Sequence, residues 1–295
     1  MKTKPVVLLL LCLLTAISVE GQLKKRIAVS RFEDRSGAGY ARIGDGVADM
    51  LTTTLVKSGK FLVFERQEMD EILKEQKLSI SSLATPETAA KLGKILGVEL
   101  LVIGSVSEFG TKQRDISGGV SLFGAGLSTK TARAAVDIRL VNTSTAEIIA
   151  AEKEEGEEST TGVAVRYEDI DFSNTSAWND TDIGKACRQA IDGCVSLITD
   201  NMEKIPWSGK IIKVNPDGNV LMKPGSEGNV GVGMEFNVFR AGEEIKDPDT
   251  GLSLGSEETK IGRIKVKEDM LKGKACKAIV VEGRGLQIGD IIREQ

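Results

Sequence analysis

Histidine is absent from all 295 residues. That removes the commonest general base and metal ligand and excludes a Ser-His-Asp arrangement. Carboxylates, lysines and cysteines are left to do any chemistry. Asp45 and Asp49 stand one helical turn apart, so their carboxylates share a face; on an exposed helix such a pair reads as ordinary surface. Cys187 and Cys194 lie seven apart in a helical pattern, about 10 Å along the axis, and cannot bond without breaking the helix. With Cys276 they read as small buried hydrophobes.

Two loops could be mistaken for ligand sites. Gly37-x-Gly39 falls between a strand and a helix, but Arg42 occupies the third glycine position of a dinucleotide loop, so a flexible turn is expected. Asp247-Pro-Asp249-Thr-Gly251 lacks the downstream acidic ligands of a calcium loop and reads as a turn. No catalytic residue, cofactor or metal is expected, and the protein is not expected to be an enzyme. A formal charge of −4 and 4% aromatic residues argue against nucleic acid as a partner, for want of both phosphate attraction and stacking platforms.

The chain around these residues is organised on Gly97 to Ser107 (GVELLVIGSVS). Its continuous apolar run predicts a central strand covered on both faces. Companion strands are expected at 26–32, 61–65 and 133–141. Helices are expected at 42–58, where Ile43, Val47, Met50, Leu51 and Leu55 recur at three-to-four spacing, at 67–77, and at 86–96, with a proline in the first turn and Gly97 at the end. Strands interleaved with helices define an α/β or α+β core, a mixed sheet flanked by helices. Residues 107–131 hold five glycines and read as a hairpin reaching beyond the sheet, with a turn at Ser117-Gly118-Gly119. After a returning strand at 146–151, Glu152 to Glu158 (EKEEGEE) reads as a solvated acidic stretch. Residues 159–180 read as irregular, with Tyr167, Phe172 and Trp178. Asp182 is the expected cap of a helix reaching Asn201.

Three segments follow. Residues 1–21 have the layout of a secretory signal peptide, cleaved after Gly21, with Lys2 and Lys4 before an apolar run too short to span a membrane. Residues 22–206 form the α/β domain. Residues 207–295 show short strands at 209–214, 218–223, 234–240, 260–267, 275–282 and 290–293, separated by glycine turns, and predict a small closed β-barrel. Cys12 is a poor lipid-anchor site because bulky Leu11 precedes it.

Arg26 to Ser36 (RIAVSRFEDRS), Gly59-Lys60-Phe61 leading to Phe64-Glu65-Arg66-Gln67, Leu101 to Gly104, and Arg139 to Ile148 resemble the curli secretion channel family (CsgG-like). Residues 207–295 are similar to the β-rich C-terminal domain of the periplasmic flagellar protein FlgT. The first resemblance implies a periplasmic homo-oligomer that works with other envelope or secreted fibre proteins, without catalysis or cofactor. In that family two hairpins per subunit join into one outer-membrane barrel, and a loop after the first strand narrows the pore. Carried over, the pore-loop candidates are Gly37, Gly39 and Tyr40. The hairpin or membrane candidates are Gly118, Gly119, Leu122, Phe123, Val163, Val165 and Tyr167. Phe64, Glu65, Arg66, Gln67 and Gly104 are the structural motif residues. The linker 33–44 is shorter than the family's pore loop. Two readings follow: an outer-membrane pore subunit, or a soluble periplasmic scaffold whose hairpins are surface ribbons.

Overall fold

A computed structural model describes residues 21–64, 66–77, 83, 85–115, 128–161, 178–248 and 253–295. Two sheets organise these residues. The first runs in the order β3 (Phe61–Phe64), β1 (Lys25–Val29), β4 (Leu100–Asp115), β5 (Ser128–Asn142), β6 (Ile148–Thr161). A two-residue strand, β2 (Glu33–Asp34), also pairs with β4. The β1–β3, β1–β4 and β2–β4 pairings are parallel, whereas β4–β5 and β5–β6 are antiparallel.

Local signals set the helices. In α1 (Ile43–Ser58) the apolar face Ile43, Val47, Leu51 and Leu55 is fully buried, and Gly59 ends the helix at φ 68°, its N–H bonded to the Val56 carbonyl. Helix α2 (Arg66–Glu75) follows β3 directly. Helix α3 (Pro86–Leu96) is capped by Thr85, whose hydroxyl accepts from the Thr88 N–H, and stops at Gly97. Helix α4 (Asp182–Met202) is capped by Thr181, which accepts from the Gly184 N–H at 3.1 Å. Asp182 is therefore not the cap. It sits one residue inside, where its carboxylate faces the positive helix end.

Alternate residues of β4 reach opposite cores. Leu100, Val102 and Val106 join α1 and α4 on one face, and Leu101 and Ile103 join Met69, Leu73, Leu92 and Leu96 of α2 and α3 on the other. The expectation of a doubly covered central strand holds for this stretch. Past Ser105 only the α1/α4 face stays covered.

The second sheet is a closed antiparallel barrel. It is built from β7 (Gly209–Val214), β8 (Val220–Lys223), β9 (Glu235–Lys246), β10 (Ser253–Met270), β11 (Ala275–Gly283) and β12 (Ile291–Arg293). Ile211, Met222, Phe236, Val238, Ile264 and Ile292 fill it, and Trp207 stacks on Phe236 with ring centroids 5.1 Å apart. Leu23, just ahead of β1, also packs into the barrel core. Strands β9 and β10 are longer than their sequence patterns suggest, because cross-strand pairing carries both past their apolar stretches.

Candidate functional site

Strands β4, β5 and β6 are 16, 15 and 14 residues long, well beyond the usual five or six. Asp115 pairs with Ser128, and Thr129 with Thr161. Chain segments 116–127 and 162–177 therefore attach at the same end of the sheet, side by side. Gly118, Gly119, Leu122, Phe123, Val163, Val165 and Tyr167 lie outside the described residues, as does Glu65.

The acidic stretch is not a loop. Residues 152–158 belong to β6, and residues 159–161 continue it. On one face, Gly156 lies against α4 so closely that a β-carbon there would meet the Ala186 carbonyl oxygen at 1.9 Å. On the other face, Arg133 pairs with Glu155 and Glu157, and Lys153 with Glu108 and Glu155. Hydrogen bonds from Lys153 hold the Glu108 and Glu155 carboxyls below their ordinary range. These groups are solvent-exposed, so water screens the ladder. Beside it, Glu33, Arg35, Gly104, Ser105, Asp137 and Arg139 line an open concavity of about 410 Å³.

The short linker after β1 is stitched to the sheet rather than free. Glu33 and Asp34 pair with Ser105 and Val106, and the Arg35 N–H donates to the Val106 carbonyl at 2.9 Å. Gly37 and Gly39 are exposed and hold φ of 66° and 77°, which glycine adopts without strain. Tyr40 is half-buried and meets Phe109 edge-on, with centroids 6.0 Å apart; Phe109 meets Trp178 in the same way, also at 6.0 Å. One aromatic cluster thus joins the loop, the base of the β4–β5 ribbon and the residue that follows segment 162–177. Trp178 falls in a stretch whose sequence reads as irregular, and only its size signals a buried role.

Of the motif residues, Phe64 is half-buried against the α2/α3 core, Arg66 opens α2, and Gln67 is exposed on its first turn. Gly104 lies beneath the Phe32 ring.

Asp45 corrects the reading of an exposed acidic pair. It is buried, with Arg31 and Arg42 bound to its carboxylate, while Asp49 is only half-buried. Arg31 also reaches Asp70 on α2, so Asp45 anchors α1 to its neighbours. Cys187, Cys194 and Cys276 are all buried and form no disulfide. Among the described residues no cluster of His, Cys, Asp or Glu is arranged to hold a metal, and no helix is long and apolar enough to cross a membrane.

These features define a mixed α/β platform carrying paired extensions, followed by a barrel. The chain belongs to the family of the curli production assembly/transport component CsgG, whose model matches residues 14–215. No curated protein matches it. Among solved structures it is similar to the lipoprotein GNA1162 from Neisseria meningitidis, with 15% identity over 61% of this chain and 99% of that one, at a TM-score of 0.36. It is similar to the hypothetical protein CT253 from Chlamydia trachomatis, with 16% identity over 59% and 95%, TM-score 0.40. A third is the PelC dodecamer from Paraburkholderia phytofirmans, with 12% identity over 59% and 87%, TM-score 0.30.

Proposed function

We propose that this protein is a non-catalytic, oligomeric component of a cell-envelope assembly or secretion system, exported to the periplasm and able to supply two chain segments per subunit to an outer-membrane pore. One observation carries the reading: β4, β5 and β6 outrun the core together and deliver segments 116–127 and 162–177 at one end of the sheet. Membership of the CsgG family supports it, as does a sequence without histidine. On this reading Tyr40 ties the loop to the bases of both extensions, and the β-barrel, similar to FlgT's C-terminal domain, docks other envelope proteins.

The charged ladder Glu108–Lys153–Glu155–Arg133–Glu157 favours a second reading for the described part of the ribbon. Its open face suits water or a protein partner, not lipid, because charges on a lipid-facing strand are costly. A soluble scaffold would keep the whole ribbon in that setting. Fractionation of cells expressing the full-length protein, with an alkaline carbonate wash, separates the two. Retention in the outer-membrane pellet as a heat-sensitive oligomer is expected. Release into the soluble periplasmic fraction would remove the pore and leave the scaffold.

A further inference from the structure

Where the barrel meets the first sheet, positive charge accumulates without matching acid. Arg26 of β1 binds Glu99 through its backbone N–H, at 2.6 Å, and through its guanidinium. The same guanidinium donates to the carbonyl and hydroxyl of Ser208, and the Ser208 hydroxyl donates to Glu99 at 2.8 Å. Glu99 is thereby fully engaged. In the barrel, Lys210 on β7 sits directly opposite Lys223 on β8. Both are half-buried on the outer wall of the barrel, facing the Arg26–Glu99 pair.

Like charges placed directly opposite across two strands repel. Neither lysine has a hydrogen-bond or ion-pair partner among the described residues, and the Arg26 Nη1 is buried without one. A β-carbon on Gly97 would lie 3.5 Å from the Lys223 Nζ, which puts that ammonium beside the C-terminus of α3. The helix end offers about half a negative charge. Three cations against one carboxylate and that half-charge leave an excess of more than one positive charge.

We propose that Arg26, Lys210 and Lys223 form a phosphate-type oxyanion site at the junction of the two sheets, taking free phosphate or the phosphoryl group of a lipid headgroup. Such an anion accepts several charge-assisted hydrogen bonds at once, which a monovalent halide cannot do. Burial lowers the affinity of both lysines for their protons, and Arg26 adds to the effect on each; a bound dianion reverses that. The site also bridges β1, the Gly97–Glu99 turn and β7–β8, so an occupant would fasten the barrel to the α/β platform.

The test is calorimetric titration of the full-length protein with inorganic phosphate, with sodium chloride at equal ionic strength as control. Binding is expected in the wild type, with a loss of about tenfold or more for each of Lys210→Met and Lys223→Met. Lys213→Met, on an exposed lysine of the same strand, should bind as the wild type does. Thermal melting of all three variants without phosphate reports their folding. Flotation with phosphatidylglycerol or phosphatidylcholine vesicles separates the sources: phosphatidylglycerol-selective flotation competed by phosphate assigns the headgroup, and its absence assigns the free ion. No phosphate response in the wild type, or equal responses in the wild type and the folded Lys210→Met and Lys223→Met variants, overturns the proposal.

Discussion

The ring of Phe32 occupies the space that Gly104 leaves by having no side chain. A β-carbon at Gly104 would lie 2.6 Å from the ring Cζ and 2.7 and 2.8 Å from the two Cε atoms. Gly104 lies on the covered face of β4, and Phe32 is buried just ahead of β2. Gly104→Val should force the ring out and loosen the loop stitched to β4, costing about 1–3 kcal/mol. Urea unfolding monitored by circular dichroism checks this; an unchanged midpoint would show that Phe32 repacks freely.

Gly156→Ala is a harsher change, because the obstacle is backbone. The Ala186 carbonyl oxygen, 1.9 Å from where the new methyl would sit, belongs to α4 and cannot swing away. The helix must lift from β6, at a cost of about 3 kcal/mol or more. Hydrogen exchange should show α4 losing protection well before β1 and β3.

Glu99→Gln should be strongly destabilising. Glu99 is 4% exposed and its Arg26 partner 13%. Removing one partner leaves a buried charge unpaired, which costs about 3–5 kcal/mol. The pair also reaches Ser208 at the start of the barrel, so calorimetry should show two separated unfolding transitions where the wild type shows one.

The buried thiols predict an alkaline limit to stability. Burial, aided by Glu154, pushes Cys194 up to about 12, and burial with Asp269 does the same for Cys276. An unfolded thiol ionises near 9, so between pH 9 and 12 the folded state holds protons that the unfolded state has released. Stability present below pH 9 is lost as pH rises toward 12. The urea midpoint should fall across that window, less steeply in Cys194→Ala. At pH 8 the native protein should resist thiol labelling until denaturant is added.

Tyr40→Ala tests the aromatic cluster. Each edge-on pair contributes about 0.5–1.5 kcal/mol beyond simple burial, so a loss near 1 kcal/mol is expected. The near-ultraviolet dichroism of Trp178 should weaken while the far-ultraviolet spectrum stays unchanged. Loss of both would mean that Tyr40 holds the fold rather than the loop.

Much of the fold was legible in the sequence, since its signals are local. The stops at Gly59 and Gly97, the helical spacing of α1 and the proline in the first turn of α3 needed no tertiary knowledge, and the six barrel strands announced themselves through glycine turns. The length of β6 did not. From Glu152 to Glu158 both faces carry charge, so no period-two pattern survives; pairing with β5 and the docking of α4 against Gly156 make the strand. β2 escaped for the same reason, being two residues held by β4. The Asp45 cluster depends on Arg31, fourteen residues away, and the Arg26–Lys210–Lys223 group spans nearly two hundred. Such sites come from topology, which no local spacing encodes. The resemblance to the curli channel family, by contrast, rested on short contiguous motifs and could be read directly.

Assembly is the central requirement, because one subunit cannot close a pore with two chain segments. Sedimentation velocity of the purified protein, over a hundredfold range of concentration, measures this directly. A single species at a fixed multiple of the chain's mass, persisting at the lowest concentration, is the predicted result. A monomer at every concentration would contradict the oligomeric reading and leave a solitary envelope protein.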